Sequence, residues 1–171
     1  MEEERTVIGG VSSETYDASE KPFDFVEEGQ LTALVCEADP TYRSKITDVL
    51  KEGGYLVTEA GSAQEALKDM RYHTYELVVV DETFDADNPD KNDVLTYLEE
   101  LSMQIRRKIF VALLTHRFRT MDNMTAFNRS VNIIINLSNI DDFGTIVKRG
   151  VAENKAFYHV FEETLRGAGQ T

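Results

Sequence analysis

Three polar residues that directly follow runs of aliphatic residues are the first candidates for chemistry. They are Glu37, Asp81 and Thr115. If the runs are neighbouring parallel strands, their carboxyl ends open onto one crevice, which is where such sheets hold their ligands. Two carboxylates and a hydroxyl would line that crevice with oxygen atoms. Taken singly, each residue is explained equally well as a strand-end side chain that bonds to loop amides or packs within the sheet.

The elements that would position these residues alternate along the chain from Leu31 onwards. Short apolar runs of strand length are separated by amphipathic stretches of helical period, a pattern typical of a parallel sheet covered by helices. The run at Leu77 to Val80 is continuous rather than alternating, as expected of a central strand covered on both faces. The predicted strands are 31–37, 55–60, 76–81, 109–114 and 131–137.

Local signals mark the first two helices. Asp39 followed by Pro40 predicts an N-cap and first helical residue, and Gly53 with Gly54 predicts the end of that helix. Ser62 and Glu65 have the spacing of a capping box that opens the second helix.

The later helices are predicted from apolar residues that recur at helical spacing. A third helix, capped at Asp93, is predicted to bury one stripe that extends as far as Ile105, and a fourth lies near 121–129. Two further helices, at 141–148 and 153–165, are predicted on either side of Gly150, although a five-unit sheet needs only one closing helix. The extra one is either an interface or a cap over the sheet.

Composition limits the class of protein. The 171 residues include 42% hydrophobic and 29% charged residues, which is typical of one globular domain, and the net charge of −13 argues against binding nucleic acid or an anionic membrane. We predict a flexible arm or linker at 1–29, containing the apolar cluster Phe23 to Val26, and a folded domain at 30–171. Because we find no signal peptide and no membrane-spanning run, we expect a cytoplasmic location.

The strand ends resemble those of the receiver domains of bacterial response regulators. The resemblance spans about residues 31–140 and rests on three segments: Leu34-Val35-Cys36-Glu37-Ala38-Asp39-Pro40, Glu76-Leu77-Val78-Val79-Val80-Asp81 and Val111-Ala112-Leu113-Leu114-Thr115. It implies a flavodoxin-like, doubly wound sheet of order 2-1-3-4-5, here with an extra C-terminal helix.

The same resemblance assigns roles to residues. Asp81 matches the aspartate that accepts a phosphoryl group, and Thr115 matches the switch hydroxyl that binds its oxygens. Glu37, Asp81 and the carbonyl of Thr83 match ligands of the family's Mg²⁺.

Departures from the family pattern fall at charged positions. Ala38 replaces the second metal-binding acid, and the adjacent Asp39 is expected to cap a helix instead. The lysine position falls on Leu137, or on Asn136 if the alignment shifts by one, with Ser138 in place of proline. Phosphoryl transfer depends on positioned charge, so we expect weak or lost Mg²⁺ binding and no phosphorylation. Ile134 replaces the strand-five aromatic, and His116 replaces a small residue.

Three hypotheses for function follow. The leading one is a pseudo-receiver, a non-enzymatic module without catalytic residues or cofactor that binds another signalling protein or a second copy of itself. The alternative is an atypical active receiver that accepts a phosphoryl group on Asp81. In this alternative Glu37, Asp39 and Asp81 gather Mg²⁺, and Lys148 or another cation substitutes for the missing lysine. A nucleotide- or flavin-binding protein is the third, but the segment after strand one is acidic and lacks a glycine-rich loop.

Other features point to structure or to contacts. Cys36 is predicted to be a buried thiol, the Asp-rich loop at 85–93 a solvated loop rather than a calcium site, and the three histidines, at 73, 116 and 159, surface or packing residues. The surface from strand four to the C-terminus is the predicted interface, and its candidate contact residues are Met121, Met124, Phe127, Phe157 and Phe161.

Overall fold

The fold is built on a five-stranded parallel sheet of order β2-β1-β3-β4-β5. The computed structural model describes residues 26–169, so most of the predicted arm, including Phe23 to Phe25, lies outside the described residues. The predicted flavodoxin-like topology is confirmed, and the strands begin and end within two residues of their predicted bounds. The strands are β1 (Leu31–Cys36), β2 (Tyr55–Glu59), β3 (Leu77–Asp81), β4 (Phe110–Thr115) and β5 (Ile133–Asn136).

Helices cover both faces of the sheet because each central strand is apolar on both sides. Alternate residues of β1 enter opposite cores: Leu34 and Cys36 pack under one face, and Ala33 and Val35 under the other. The helices are α1 (Pro40–Glu52), α2 (Ala63–Tyr72), α3 (Asp93–Glu100), α4 (Met103–Arg106), α5 (Asn123–Asn128) and α6 (Phe143–Gly167), with a 3₁₀ helix at Leu137–Asp142. Residues of α2, α3 and α5 join the first core, and residues of α1 and α6 join the second.

The predicted caps of the first two helices are confirmed. The Asp39 carboxylate accepts hydrogen bonds from the backbone N–H groups of Thr41 and Tyr42. Ser62 Oγ accepts from the N–H of Glu65 at 3.1 Å. The Glu65 side chain accepts from the N–H of Gly61 rather than from that of Ser62, so the capping box is displaced by one residue.

The third helix is shorter than predicted. It begins after Asn92, whose side chain is the N-cap, so the expected cap at Asp93 is wrong by one residue. The helix ends where Leu101 adopts an extended backbone, and the separate turn α4 carries Ile105, which is 43% exposed rather than buried. Arg106 anchors this turn by donating to the carbonyls of Ile109 and Ser130, which fixes it at the start of the sheet rather than along α3.

The C-terminal segment forms one helix where two were predicted. Gly150 lies inside α6, and the reason is a close approach: a Cβ at this position would lie 2.8 Å from Phe110 Cζ and 3.3 Å from Ile133 Cδ1. Gly144, six residues earlier, similarly approaches Val49. These glycines let α6 lie directly on the sheet and on α1, and the predicted extra helical segment is present as the continuation of this helix.

Candidate functional site

Glu37 and Asp81 meet at the carboxyl ends of β1 and β3, which are neighbours in the sheet with Cys36 paired to Val80. Both side chains are buried, Glu37 at 3% and Asp81 at 4% exposure. Asp81 Oδ1 accepts hydrogen bonds from the N–H of Thr83 at 2.7 Å and from its hydroxyl at 2.6 Å. Glu37 Oε1 accepts from the N–H of Asp39 at 2.8 Å. The sheet therefore brings together the two carboxylates that the sequence singled out.

The second oxygen of Glu37 is buried with no hydrogen-bond partner among the described residues. Burial raises the pKa of Glu37 to about 7, the hydrogen bond from the Asp39 N–H opposes this rise, and the negative charge of Asp81 adds to it. Near neutral pH, Glu37 is therefore protonated in a large fraction of molecules.

The residues present do not supply the full oxygen set of a receiver magnesium site. Ala38 offers no side-chain ligand, and the Asp39 carboxylate is bound to the first turn of α1. The carbonyl of Thr83 accepts a hydrogen bond from the N–H of Ala86 at 3.2 Å. Within residues 26–169, no cluster of three or more His, Cys, Asp or Glu side chains is placed to hold a metal ion. Because Mg²⁺ needs near-octahedral oxygen ligation, Glu37 and Asp81 alone are a poor match to it.

Glu82 is a site residue that the sequence reasoning missed. It follows Asp81 directly, is 3% exposed, and binds Thr115 and Arg117. Its Oε1 accepts from the Thr115 hydroxyl at 2.7 Å and from Arg117 Nε at 3.0 Å, and its Oε2 accepts from Arg117 Nη2 at 2.7 Å. The hydroxyl predicted to contact a phosphoryl group is thus bonded to an internal carboxylate, and the nearby guanidinium is neutralised by the same group.

Two features of the sequence could have indicated this network. Glu82 directly follows Asp81, and the basic residue Arg117 lies two positions after Thr115. The network continues outwards, because Arg117 and Arg129 both reach Asp90, at 3.3 Å and 2.6 Å. Hydrogen bonds from Arg129 first, and then from Arg117, hold the pKa of Asp90 below its ordinary value.

Asn92 holds the loop after β3 in place. Its buried Nδ2 lies within hydrogen-bond distance of the carbonyls of Asp81, Glu82 and Phe84, at 3.2, 3.2 and 3.4 Å. Its Oδ1 accepts from the N–H groups of Val94 and Leu95. One amide therefore joins the acidic crevice to the start of α3, a role that the sequence reasoning assigned to no residue.

The end of β5 presents no cation to the crevice. Asn136 pairs with Thr115 across the sheet. Its side-chain N–H donates to the carbonyl of Phe118, and its side-chain oxygen accepts from the N–H of Ser138. Leu137 is 2% exposed and packs in the core that α1 and α6 cover. Lys148, the substitute cation considered from sequence, lines a cavity with Leu31 at the start of β1, the end of the sheet opposite Asp81.

The residues predicted to form an interface are exposed on α6 and on α5 with its preceding turn. Phe127 is 79% and Phe157 78% exposed, and Met124 and Val160 follow at 69% and 70%. Phe161 is 45% exposed, with the Arg107 guanidinium 4.7 Å from its ring centroid, and Met121 is 40% exposed. Core packing does not account for these side chains, which leaves two apolar surfaces open to a partner.

Cys36 and the three histidines, the remaining candidates from the sequence, each contact other groups of the protein. Cys36 is fully buried, and burial raises the pKa of its thiol well above the ordinary value. His73 lies 2.8 Å from the Thr32 hydroxyl, His116 stacks edge-on with Tyr42, and His159 lies 3.4 Å from Glu163. Within residues 26–169, none of the helices combines the length and the apolar character that a membrane span requires.

Comparison with known proteins gives structural relatives only. No protein-family model matches the chain, and neither does any curated protein sequence. Among solved structures, a putative response regulator from Chloroflexus aurantiacus J-10-fl is 18% identical over 71% of this chain and 98% of its own, with a TM-score of 0.57. A CheY-like receiver domain protein from Methanospirillum hungatei JF-1 is 19% identical over 74% of this chain and 97% of its own, with a TM-score of 0.57.

The receiver domain of the Francisella response regulator 1452 is similar to the same degree. It is 19% identical over 73% of this chain and 99% of its own, with a TM-score of 0.58. At this level of identity the likeness establishes a shared fold, and that fold is the one found in receiver domains.

Proposed function

We propose that this protein is a pseudo-receiver, a signalling module that binds another protein through its surface and does not use Asp81 to accept phosphate. The proposal includes no catalytic activity, no cofactor and no resident metal. It rests on the shared fold together with the chemistry of the crevice, because fold alone does not determine function.

The observation that carries the proposal is the Glu82 network. A phosphoryl group on Asp81 would bring negative charge beside a second buried carboxylate, in a crevice that already contains Glu37. Transfer needs positive charge and hydrogen-bond donors aimed at the phosphoryl oxygens. The Arg43 guanidinium donates to the carbonyl of Glu37 at 3.4 Å and pairs with Glu59, and the donors Thr115 and Arg117 are both bound to Glu82. Freeing them would leave a buried carboxylate unpaired, which is strongly unfavourable.

Partner binding is supported by the exposed apolar residues of α5 and α6. Phe127 and Phe157 expose most of their rings on helices whose other faces pack on the sheet. Exposed aromatic residues of this kind are typical of protein interfaces. The partner that we propose is another signalling protein or a second copy of this chain.

A backbone NMR titration tests the proposal. The ¹⁵N-labelled protein is titrated with Mg²⁺ and then with beryllofluoride, which imitates an aspartyl phosphate, while the amides of Glu37, Asp81 and Thr115 are followed. We expect no saturable shift at these amides at millimolar Mg²⁺ and no further change with beryllofluoride. The Asp81→Asn variant is the matched control, since any shift that persists in it arises elsewhere.

An atypical active receiver is the second candidate. It is favoured by one observation, the unpartnered Oε2 of Glu37 beside Asp81, which would gain a partner in a bound cation. Saturable Mg²⁺ shifts that vanish in Asp81→Asn, followed by a beryllofluoride response, would establish this candidate and contradict the pseudo-receiver.

A further inference from the structure

A groove of about 730 Å³ opens at the amino-terminal end of the sheet, opposite the acidic crevice. It lies between α1 and α6, and Leu31, Val49, Tyr55 and Val151 contribute half-buried apolar side chains to its floor. Its size falls within the range of cavities that hold a ligand or a few side chains. A smaller cavity of about 180 Å³ continues it past Leu31 and Tyr55 towards Arg107 and Lys108. Nothing within the described residues covers this apolar floor.

The chain enters the sheet at the edge of this groove. Gln30 Nε2 donates to the carbonyl of Gly54 at 3.0 Å, next to Tyr55 on the groove wall. The N–H of Gln30 bonds to the carbonyl of Glu27 at 2.9 Å, and Gly29 has φ +90°, which together form a tight turn. This turn lies directly before Leu31 and reverses the direction of the chain beside the groove. Phe25 precedes Leu31 by six positions, a reach of at most about 20 Å.

The segment before residue 26 is acidic, and the lining of the groove carries two lysines against one carboxylate, that of Glu52. Residues 1–25 contain seven carboxylates and two basic side chains. Lys148 and Lys155 are exposed at the groove. Neither lysine forms an ion pair within residues 26–169. They are therefore available to an acidic segment, and partial burial would strengthen the attraction.

We propose that the segment Phe23-Asp24-Phe25 of this chain occupies the groove. In an extended segment, alternate side chains point the same way, so Phe23 and Phe25 both enter the apolar floor while Asp24 faces the lysine rim. The segment covers apolar surface that is otherwise exposed on α1 and α6. It does so at the far end of the sheet from Asp81, and the inference is independent of the proposed function.

Thiol reactivity in the full chain tests this inference. Ala152→Cys places a reporter on the groove wall, and the native Cys36 is buried and does not compete. The rate of alkylation by a neutral reagent is compared between Ala152→Cys alone and Ala152→Cys combined with Phe23→Ser and Phe25→Ser. If the segment covers the groove in about nine-tenths of molecules, its removal accelerates alkylation about tenfold, since reactivity scales with the open fraction. Glu99→Cys, exposed on α3, is the matched control and keeps one rate in both backgrounds.

Equal rates at Ala152→Cys in the two backgrounds would overturn the inference. Protection that survives the two serine substitutions and declines on dilution would also overturn it, because it would identify a second copy as the occupant. If Ala152→Cys perturbs folding, NMR methyl shifts of Leu31 and Val151 provide the same comparison in chains without the reporter. Unchanged shifts on Phe23→Ser with Phe25→Ser would again contradict the docked segment.

Discussion

At the scale of single residues, the charged groups of the crevice interact mainly with other groups of the protein. Glu37 faces Asp81 with an unpartnered oxygen, and Glu82 binds the hydroxyl and the guanidinium that could otherwise reach a ligand. Burial raises the pKa of Glu37, Asp81 accepts two hydrogen bonds from Thr83, and Glu82 forms an ion pair with Arg117. The Thr115 and Arg117 donors are therefore engaged in bonds within the protein.

Replacing Glu37 with Gln should flatten the pH dependence of stability. A carboxyl whose pKa is raised to about 7 binds more protons in the folded state than in the unfolded state. The wild type therefore loses stability as the pH rises from the ordinary glutamate value through about 7, by roughly 1–3 kcal/mol. Glu37→Gln lacks this loss and should be the more stable protein at pH 8.

Urea denaturation at pH 5 and pH 8 measures this difference. Glu99→Gln, at an exposed position on α3, is the control and should retain the wild-type slope. A Glu37→Gln variant with the same pH slope as the wild type would show that Glu37 titrates normally.

Replacing Glu82 with Gln should destabilise the fold by about 1–3 kcal/mol, because Thr115 and Arg117 lose a charged acceptor in a buried place. The Arg117 side chain is 40% exposed and can turn to water, which keeps the loss below that of a fully buried pair. Thr115→Val alone should lose about 1 kcal/mol. A double-mutant cycle by urea denaturation measures the coupling, and additive effects would mean that the Glu82–Thr115 bond contributes nothing.

At the scale of elements, close approach between α6 and its neighbours decides the C-terminal architecture. The helix has glycines at the two points where it touches Val49 and Phe110, and it continues through both. Its first half is buried against the sheet, whereas its second half carries the exposed Phe157 and Val160. One helix thus serves as a wall of the core and as a candidate interface.

Gly150→Ala and Gly167→Ala should change stability in opposite directions. Alanine is favoured over glycine inside a helix by about 1 kcal/mol. At Gly150 the added methyl group would overlap Phe110, and overpacking costs about 1–3 kcal/mol, so the net effect is destabilising. At Gly167, the last residue of α6, no atom lies within 4 Å of the added methyl group, so a small gain from the helix preference remains. Thermal denaturation compares the two variants, and a Gly150→Ala protein as stable as Gly167→Ala would contradict the tight packing.

At the scale of the whole molecule, charge is the dominant property. The whole chain carries a net charge of −13, and salt screens the self-repulsion that this charge causes. A specific cation site would add its own stabilisation through binding to the folded state alone. These two effects can be separated.

We expect stability to rise with NaCl, and to rise with MgCl₂ by the same amount in the wild type and in Asp81→Asn. Screening acts on the total charge, and a single substitution changes that charge little. Thermal denaturation at matched ionic strength measures both increments. A larger MgCl₂ increment in the wild type than in Asp81→Asn would reveal a magnesium site at Asp81 and argue against the proposed function.

The sequence by itself determined the elements and the residues at their ends. Hydrophobic periodicity and caps such as Asp39 and Ser62 are local, so they predicted the strands and the first two helices, and family resemblance supplied the strand order. The same local signals placed Glu37, Asp81 and Thr115 at one edge of the sheet.

Only the tertiary structure decided what those residues do to one another. From the sequence, Gly150 is expected to interrupt a helix, but in the structure it allows α6 to pack against Phe110. The sequence reasoning assigned no role to Glu82, but in the structure it binds Thr115 and Arg117. The exposure of Phe127 and Phe157 likewise depends on which helix face meets the sheet. These outcomes depend on contacts between distant parts of the chain, and neither local propensity nor spacing encodes such contacts.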